Sequence, residues 1–143
     1  MNFDKTILLV EDNRDDVFIF KKTLKKAQIN NPVNVVANGQ EAVDYLSGVN
    51  KYSDREKYPL PCVIFLDLKM PYFDGFEVLA WLRAQPSLQS INAVVLSSSD
   101  EPNDHQRAYA LGTRSYLVKP PRPEEIRRFI VSMGGDGDPV DQV

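Results

Sequence analysis

Cysteine is all but missing from this chain. Cys62 is the only one, and a single thiol excludes an internal disulfide. It leads straight into an apolar run, with no neighbouring feature to lower its pKa, and reads as a small buried hydrophobe rather than a reactive thiol. Histidine is equally scarce: His105 sits among Asn103, Asp104, Gln106 and Arg107 and reads as a solvated helix residue, not a ligand or catalyst. No apolar stretch approaches the roughly 20 residues that a bilayer-spanning helix needs, so no membrane role is expected. The start, Met1-Asn2-Phe3-Asp4-Lys5, lacks the basic-then-apolar order of a signal peptide. Excess charge is lacking too. A net charge of −3 offers no general attraction to nucleic acid or anionic lipid. There is no internal repeat. The 143 residues, 43% apolar, suffice for one compact domain, and these absences together suit a cytoplasmic protein.

What the chain does have is a set of short apolar runs that each end in a chemically useful residue. Ile7-Leu8-Leu9-Val10 precedes Glu11-Asp12, and Val63-Ile64-Phe65-Leu66 precedes Asp67. Ala93-Val94-Val95-Leu96 precedes Ser97, and Tyr116-Leu117-Val118 precedes Lys119. Such runs read as strands buried on both faces. A weaker strand is expected at Val33-Asn34-Val35-Val36, after Pro32.

Helical periods fill the gaps. Val17, Phe20, Leu24 and Ala27 predict an amphipathic helix from about residue 14 to 28. Ala42, Val43 and Leu46 predict a second, stopping near Gly48. Val78, Leu79 and Leu82 predict a third, which Asp74 can cap with Glu77 answering it. Ala108 and Leu111 mark a fourth, ended by Gly112. Ile126, Phe129, Ile130 and Met133 mark a fifth, with Pro123 in its first turn. Strand and helix alternate five times, which implies an α/β fold with a parallel sheet and helices on both faces. The Gly48 to Pro61 connection is long and polar, and reads either as a functional or mobile segment or as a tolerated surface insertion. Residues 134–143 have too little apolar content to pack and are expected as a disordered tail.

In an open parallel sheet the ligand site lies outside the carboxyl ends of the strands. Glu11, Asp12, Asp67, Ser97 and Lys119 should therefore meet at one edge. A strand-end carboxylate such as Asp67 can act as a nucleophile toward phosphorus. Glu11 and Asp12 are placed to hold Mg²⁺, which is typically bound by one or two carboxylates, waters and a substrate phosphate. Lys119 offers a positive charge to a phosphoryl oxygen and Ser97 a hydroxyl to another. Clustering three acids without a cation is costly: two unit charges at 4 Å repel by about 4 kcal/mol at an effective dielectric of 20.

The chain resembles the receiver domain of two-component response regulators, over nearly its whole length. Val10-Glu11-Asp12-Asn13 is similar to the family's acidic pair after the first strand. The run Leu66-Asp67-Leu68-Lys69-Met70-Pro71-Tyr72-Phe73-Asp74-Gly75 is similar to its phosphorylation loop. Ser97 and Lys119 stand at the hydroxyl and lysine positions, Tyr116 at the switch aromatic, and Gly112 at the turn before the fifth strand.

The resemblance implies a flavodoxin-like doubly wound sheet of five strands, order 2-1-3-4-5, with five helices, in a receiver domain spanning residues 5–133. It implies that a histidine kinase or histidine phosphotransfer protein phosphorylates Asp67, with Mg²⁺ held by Glu11, Asp12, Asp67 and the backbone carbonyl of Lys69. Ser97, Lys119 and Tyr116 would bind the phosphoryl group and carry the switch, Tyr116 rotating inward. Lys69 and Ser99 match positions that tune phosphoryl lifetime. The output would be a protein contact, to an unknown downstream partner or a second copy, through helix 4, strand 5 and helix 5. The domain is then no enzyme with a separate substrate, but promotes its own phosphorylation and dephosphorylation. A cis peptide is expected at Lys119-Pro120, whereas Pro121 departs from the family's usual apolar residue and unsettles the start of helix 5.

With no helix-turn-helix region after Met133, promoter binding is not expected. The long connection before the third strand resembles stand-alone receivers that serve bacterial phytochromes. Rival classes fit less well. A phosphatase of the haloacid dehalogenase type needs a second Asp two residues after the first, where this chain has Lys69. An FMN carrier needs a phosphate loop after the first strand, where Glu11-Asp12-Asn13-Arg14-Asp15-Asp16 would repel phosphate. The remaining alternative is a receiver-like binding module that is never phosphorylated. Arg122, Arg127 and Arg128 on the fifth helix read as a solvated face before a docking patch.

Overall fold

The computed structural model describes residues 6–70 and 73–132. Met133, the expected tail, and Pro71 and Tyr72 of the Asp67 loop lie outside the described residues. The strands are β1 (Ile7–Val10), β2 (Val33–Val36), β3 (Val63–Leu66), β4 (Asn92–Ser97) and β5 (Ser115–Val118). They alternate with α1 (Arg14–Lys26), α2 (Gly39–Ser47), α3 (Gly75–Arg83), α4 (Pro102–Ala110) and α5 (Pro123–Ser132). The strands form one parallel sheet in the order β2-β1-β3-β4-β5, the expected topology.

The period-2 alternation of side chains divides each strand between two cores. Leu8, Val10, Ile64, Leu66 and Val95 face α2, α3 and α4 with Ala42, Val78 and Leu79. Ile7, Leu9, Val63, Phe65 and Val94 face α1 and α5 with Phe20, Leu24 and Ile126. Every residue of β1 and β3 is buried, which is why those strands read as unbroken apolar runs. Cys62, partly exposed, packs on the second core.

Helix ends follow their capping residues. Asn13 and Asn38 accept the backbone N–H of Asp16 and Glu41, and Asp74 and Glu77 form a reciprocal capping box. The left-handed C-cap Gly48 (φ 70°) ends α2. Helix α1 is shorter than its apolar period predicts, ending at Lys26. Gln28 turns left-handed (φ 61°), and the N–H of Ile29 folds back on the Leu24 carbonyl at 3.0 Å. Pro121 is buried and α5 begins at Pro123, so the departure at 121 leaves the helix start intact.

The connection after α2 is a packed structure, not a loose insertion. It opens with a 3-10 helix at Asn50–Ser53, and Tyr52 and Tyr58 close on the buried Tyr45 with ring centroids 5.0 to 5.9 Å apart. Arg55 donates to the carbonyls of Tyr45 (2.8 Å), Leu46 (2.9 Å) and Tyr58 (3.2 Å). The Tyr45 hydroxyl accepts from Asn34 and donates to the Pro59 carbonyl, each at 2.8 Å.

Candidate functional site

The parallel sheet delivers the C-terminal ends of β1, β3, β4 and β5 to one edge. The backbone N–H of Asp67 continues the ladder by donating to the Val10 carbonyl at 3.1 Å, so β1 sets the position of Asp67. Glu11 donates likewise to Val36 at 3.0 Å. Ligand oxygens of Glu11, Asp12 and Asp67 lie within 4.8 Å of one another, with Glu11 and Asp67 buried and Asp12 exposed. After Asp67 the chain doubles back tightly. A Cβ at Gly75 would lie 2.4 Å from the Asp67 carbonyl oxygen, so only glycine fits there.

Lys119 reaches the site directly after β5 and is joined to Pro120 by a cis peptide. Its ammonium lies 2.7 Å from Glu11, 2.8 Å from Asp16 and 3.6 Å from Asp67. Asp16 was not foreseen as a partner of the lysine. The acid-rich run 11–16 was its only signal, and the cap at Asn13 fixes the first turn that carries it. Buried Ser97 accepts the Ser99 N–H at 3.0 Å on its Oγ. Lys69 is exposed, and its N–H donates to Asp67 Oδ1 at 3.3 Å.

Three carboxylates thus face one ammonium, and Asp12 adds a fourth acid beside Glu11 and Asp67. Burial pushes the Asp67 carboxyl up, against the opposing pull of Lys119 and the Lys69 N–H. Burial also raises Glu11, with Asp67 adding to it and Lys119 opposing. For Lys119 burial alone would lower the value, but bonds to Asp16 and Glu11 outweigh it and leave the ammonium firmly charged. Both acids remain raised despite their lysine, because burial outweighs its pull and the neighbouring carboxylates add to the burial.

Tyr116 is buried, and its hydroxyl donates to the Ser99 carbonyl at 2.8 Å. His105, expected to be solvated, instead lies on the Tyr116 ring with centroids 3.7 Å apart and planes at 19°. The side chain stays 32% exposed, so the solvated reading holds in part, and the stack escaped it because α4 is too polar to reveal from sequence which side faces β5. On the α5 side, Arg127 is spent on the Ala27 carbonyl (2.8 Å) and Arg122 faces Glu124 and Glu125, in line with a solvated face. Two open cavities flank the acids, one of about 420 Å³ bordered by Glu11, Asp12 and Phe18, the other of about 230 Å³ by Asp16, Ile19, Lys119 and Pro121.

The family profile of the response regulator receiver domain matches residues 7–131. The chain belongs to that family. The receiver is 36% identical to the response regulator Rcp1 of Synechocystis sp. over 118 residues, covering 82% of this chain and 78% of that protein. The Mn²⁺-bound form of Rcp1 superposes with a TM-score of 0.73 over 91% of each chain at 32% identity. The bacteriophytochrome response regulator RtBRR is 39% identical, with a TM-score of 0.79 over 91% of this chain and 78% of its own. The phosphorylated cyanobacterial phytochrome response regulator RcpA gives 32% identity and a TM-score of 0.75 over 91% of each chain. This receiver is thus related to phytochrome response regulators, and receiver domains bind a divalent metal. Among the described residues no helix is long and apolar enough to cross a membrane.

Proposed function

We propose that Asp67 accepts a phosphoryl group from a sensor histidine kinase or a histidine phosphotransfer protein, in a Mg²⁺-dependent reaction, and that the phosphorylated domain signals by protein contact. The observation that carries this reading is the convergence of Glu11, Asp12 and Asp67 within 4.8 Å, with the Lys119 ammonium 3.6 Å from Asp67. Carboxylate oxygens in this number suit a hard dication, and the Lys69 carbonyl is the further protein ligand we assign. Mg²⁺ there supplies charge neutralisation to the transferring oxygens.

In the transfer an Asp67 carboxylate oxygen attacks phosphorus in line. The P–N bond of the donor phosphohistidine breaks, and its electron pair stays on the imidazole nitrogen, which takes up a proton. Lys119 then pairs with a phosphoryl oxygen and Ser97 donates its hydroxyl to another. Water attack on phosphorus returns free Asp67, with Lys69 and Ser99 tuning how fast it enters. Tyr116 carries the change to the surface of α4, β5 and α5, where a downstream protein or a second copy docks. The receiver unit on this reading spans residues 5–133. The phosphorylated state of RcpA and the Mn²⁺-bound state of Rcp1 support it by relation.

The test is intact mass after incubation with acetyl phosphate, with and without Mg²⁺, beside Asp67→Asn. One phosphoryl group gained, dependent on both Mg²⁺ and Asp67, is the expected result. No gain, together with no binding of beryllofluoride by the folded protein, would favour the unphosphorylated module.

A further inference from the structure

Tyr116 is held from two sides, and both holds come from the β4–α4 region. From below, its hydroxyl donates to the Ser99 carbonyl at 2.8 Å. The Ser99 hydroxyl is itself tied to Asp104 at 2.6 Å, on the first turn of α4, and the Ser99 N–H to Ser97 at 3.0 Å. From above, the His105 imidazole lies nearly parallel to the phenol ring at 3.7 Å. The imidazole is kept from sliding by Asp100, whose carboxylate lies 2.9 Å from Nε2.

We propose that His105 is a positioning residue for Tyr116: the Asp100–His105 pair is a latch that keeps the phenol inward, and its opening sets how often Tyr116 turns out. The inference rests on the phosphorylation reading only for its consequence, not for its geometry. An outward turn of Tyr116 must break the Ser99 bond and also slide the ring from beneath the imidazole. A flat aromatic pair of this kind biases such an equilibrium by about two- to tenfold. The latch joins the same Ser97–Ser99 segment whose Ser97 hydroxyl meets the phosphoryl group, so ring position and phosphoryl binding bias one element from two ends. His105 touches no reacting atom, and its effect passes through Tyr116.

The measurement is ¹⁹F NMR of the full chain carrying 3-fluorotyrosine, with Tyr116 assigned by Tyr116→Phe among the six tyrosines. Solvent exposure is read as the H₂O-to-D₂O isotope shift. Tyr116 is 8% exposed and Tyr109 51%, so Tyr109 supplies the exposed reference in the same spectrum. His105→Ala should move Tyr116 toward the Tyr109 value, His105→Phe should restore protection by keeping the stack, and Asp100→Asn should fall between. Magnesium and phosphodonor are absent, so the outcome stands whether or not Asp67 is phosphorylated. With donor added, His105→Ala should alter phosphoryl lifetime several-fold and His105→Phe should not. A Tyr116 as protected in His105→Ala as in the unsubstituted protein overturns the latch. Equal exposure in the Ala and Phe variants, with helical content intact, overturns it as well.

Discussion

The two edges of the sheet handle their cations in opposite ways. At the edge where β3 begins, Arg55 donates to three backbone carbonyls and pairs with no carboxylate among the described residues, closing the end of α2 and the long connection together. At the edge where β3 ends, Lys119 faces Glu11, Asp16 and Asp67, and negative charge is left over. Among the described residues no buried side-chain N or O atom lacks a partner, so the contrast is one of charge, not of missing bonds. A satisfied cation makes scaffold, whereas an outnumbered one leaves negative charge that a dication, on the proposed reading, would neutralise.

Breaking the satisfied side should cost the most stability. Arg55→Ala strands the carbonyls of Tyr45, Leu46 and Tyr58 and should lose about 3 kcal/mol in urea unfolding while leaving acetyl phosphate labelling intact. Unchanged unfolding would mean that water replaces the guanidinium without penalty.

Completing the crowded side should have the next largest effect. Mg²⁺ at a hundredfold excess over its dissociation constant should stabilise the fold by about 2.7 kcal/mol. The gain should vanish in Asp12→Asn and on acidification, since protonated carboxylates bind no metal. Without metal the sign reverses. Glu11 and Asp67 are raised by burial, so the folded state holds more protons than the unfolded one above the usual carboxylate range. Metal-free stability should therefore fall as pH rises through that window. The raised Lys119 contributes stability that is full below the ordinary lysine value and lost only in strong alkali. Thermal melts with EDTA or Mg²⁺ between about pH 3 and 8, a range chosen to bracket the ordinary carboxylate values, check both signs.

Relieving the crowding by one charge should help the metal-free protein. Asp67→Asn should raise its stability by about 1 kcal/mol while ending phosphorylation, the usual conflict between function and stability at a site. The smallest effect belongs to Arg127→Ala. This arginine repeats the Arg55 device with a single bond to Ala27 at the end of α1, so its loss should cost about 0.5 kcal/mol.

How much of this was legible depended on how far apart the partners are. β1, β2 and β3 could be bounded to the residue, because a polar residue or a proline lies within two positions of each end. β4 is longer than its apolar run because Asn92 pairs with Val63 through backbone, which side-chain pattern does not report. The edge residues Glu11, Asp12, Asp67, Ser97 and Lys119 were legible because strand ends in a parallel sheet must share an edge. Asp16 on Lys119 was not, since that contact depends on how the first turn of α1 points. Arg55 and His105 escaped for the same reason. Each reaches a partner on another element through a rotamer that no periodicity encodes.

β1 lies between β2 and β3 with the same four residues paired on both sides. During synthesis β1 is therefore made before both of its neighbours and flanked only later. Until Leu66 has left the ribosome, one side of Ile7–Val10 has no strand to pair with, and its backbone is an open template for another nascent chain. Ribosome-bound chains stalled between β2 and β3 should accordingly be the ones that chaperones hold longest.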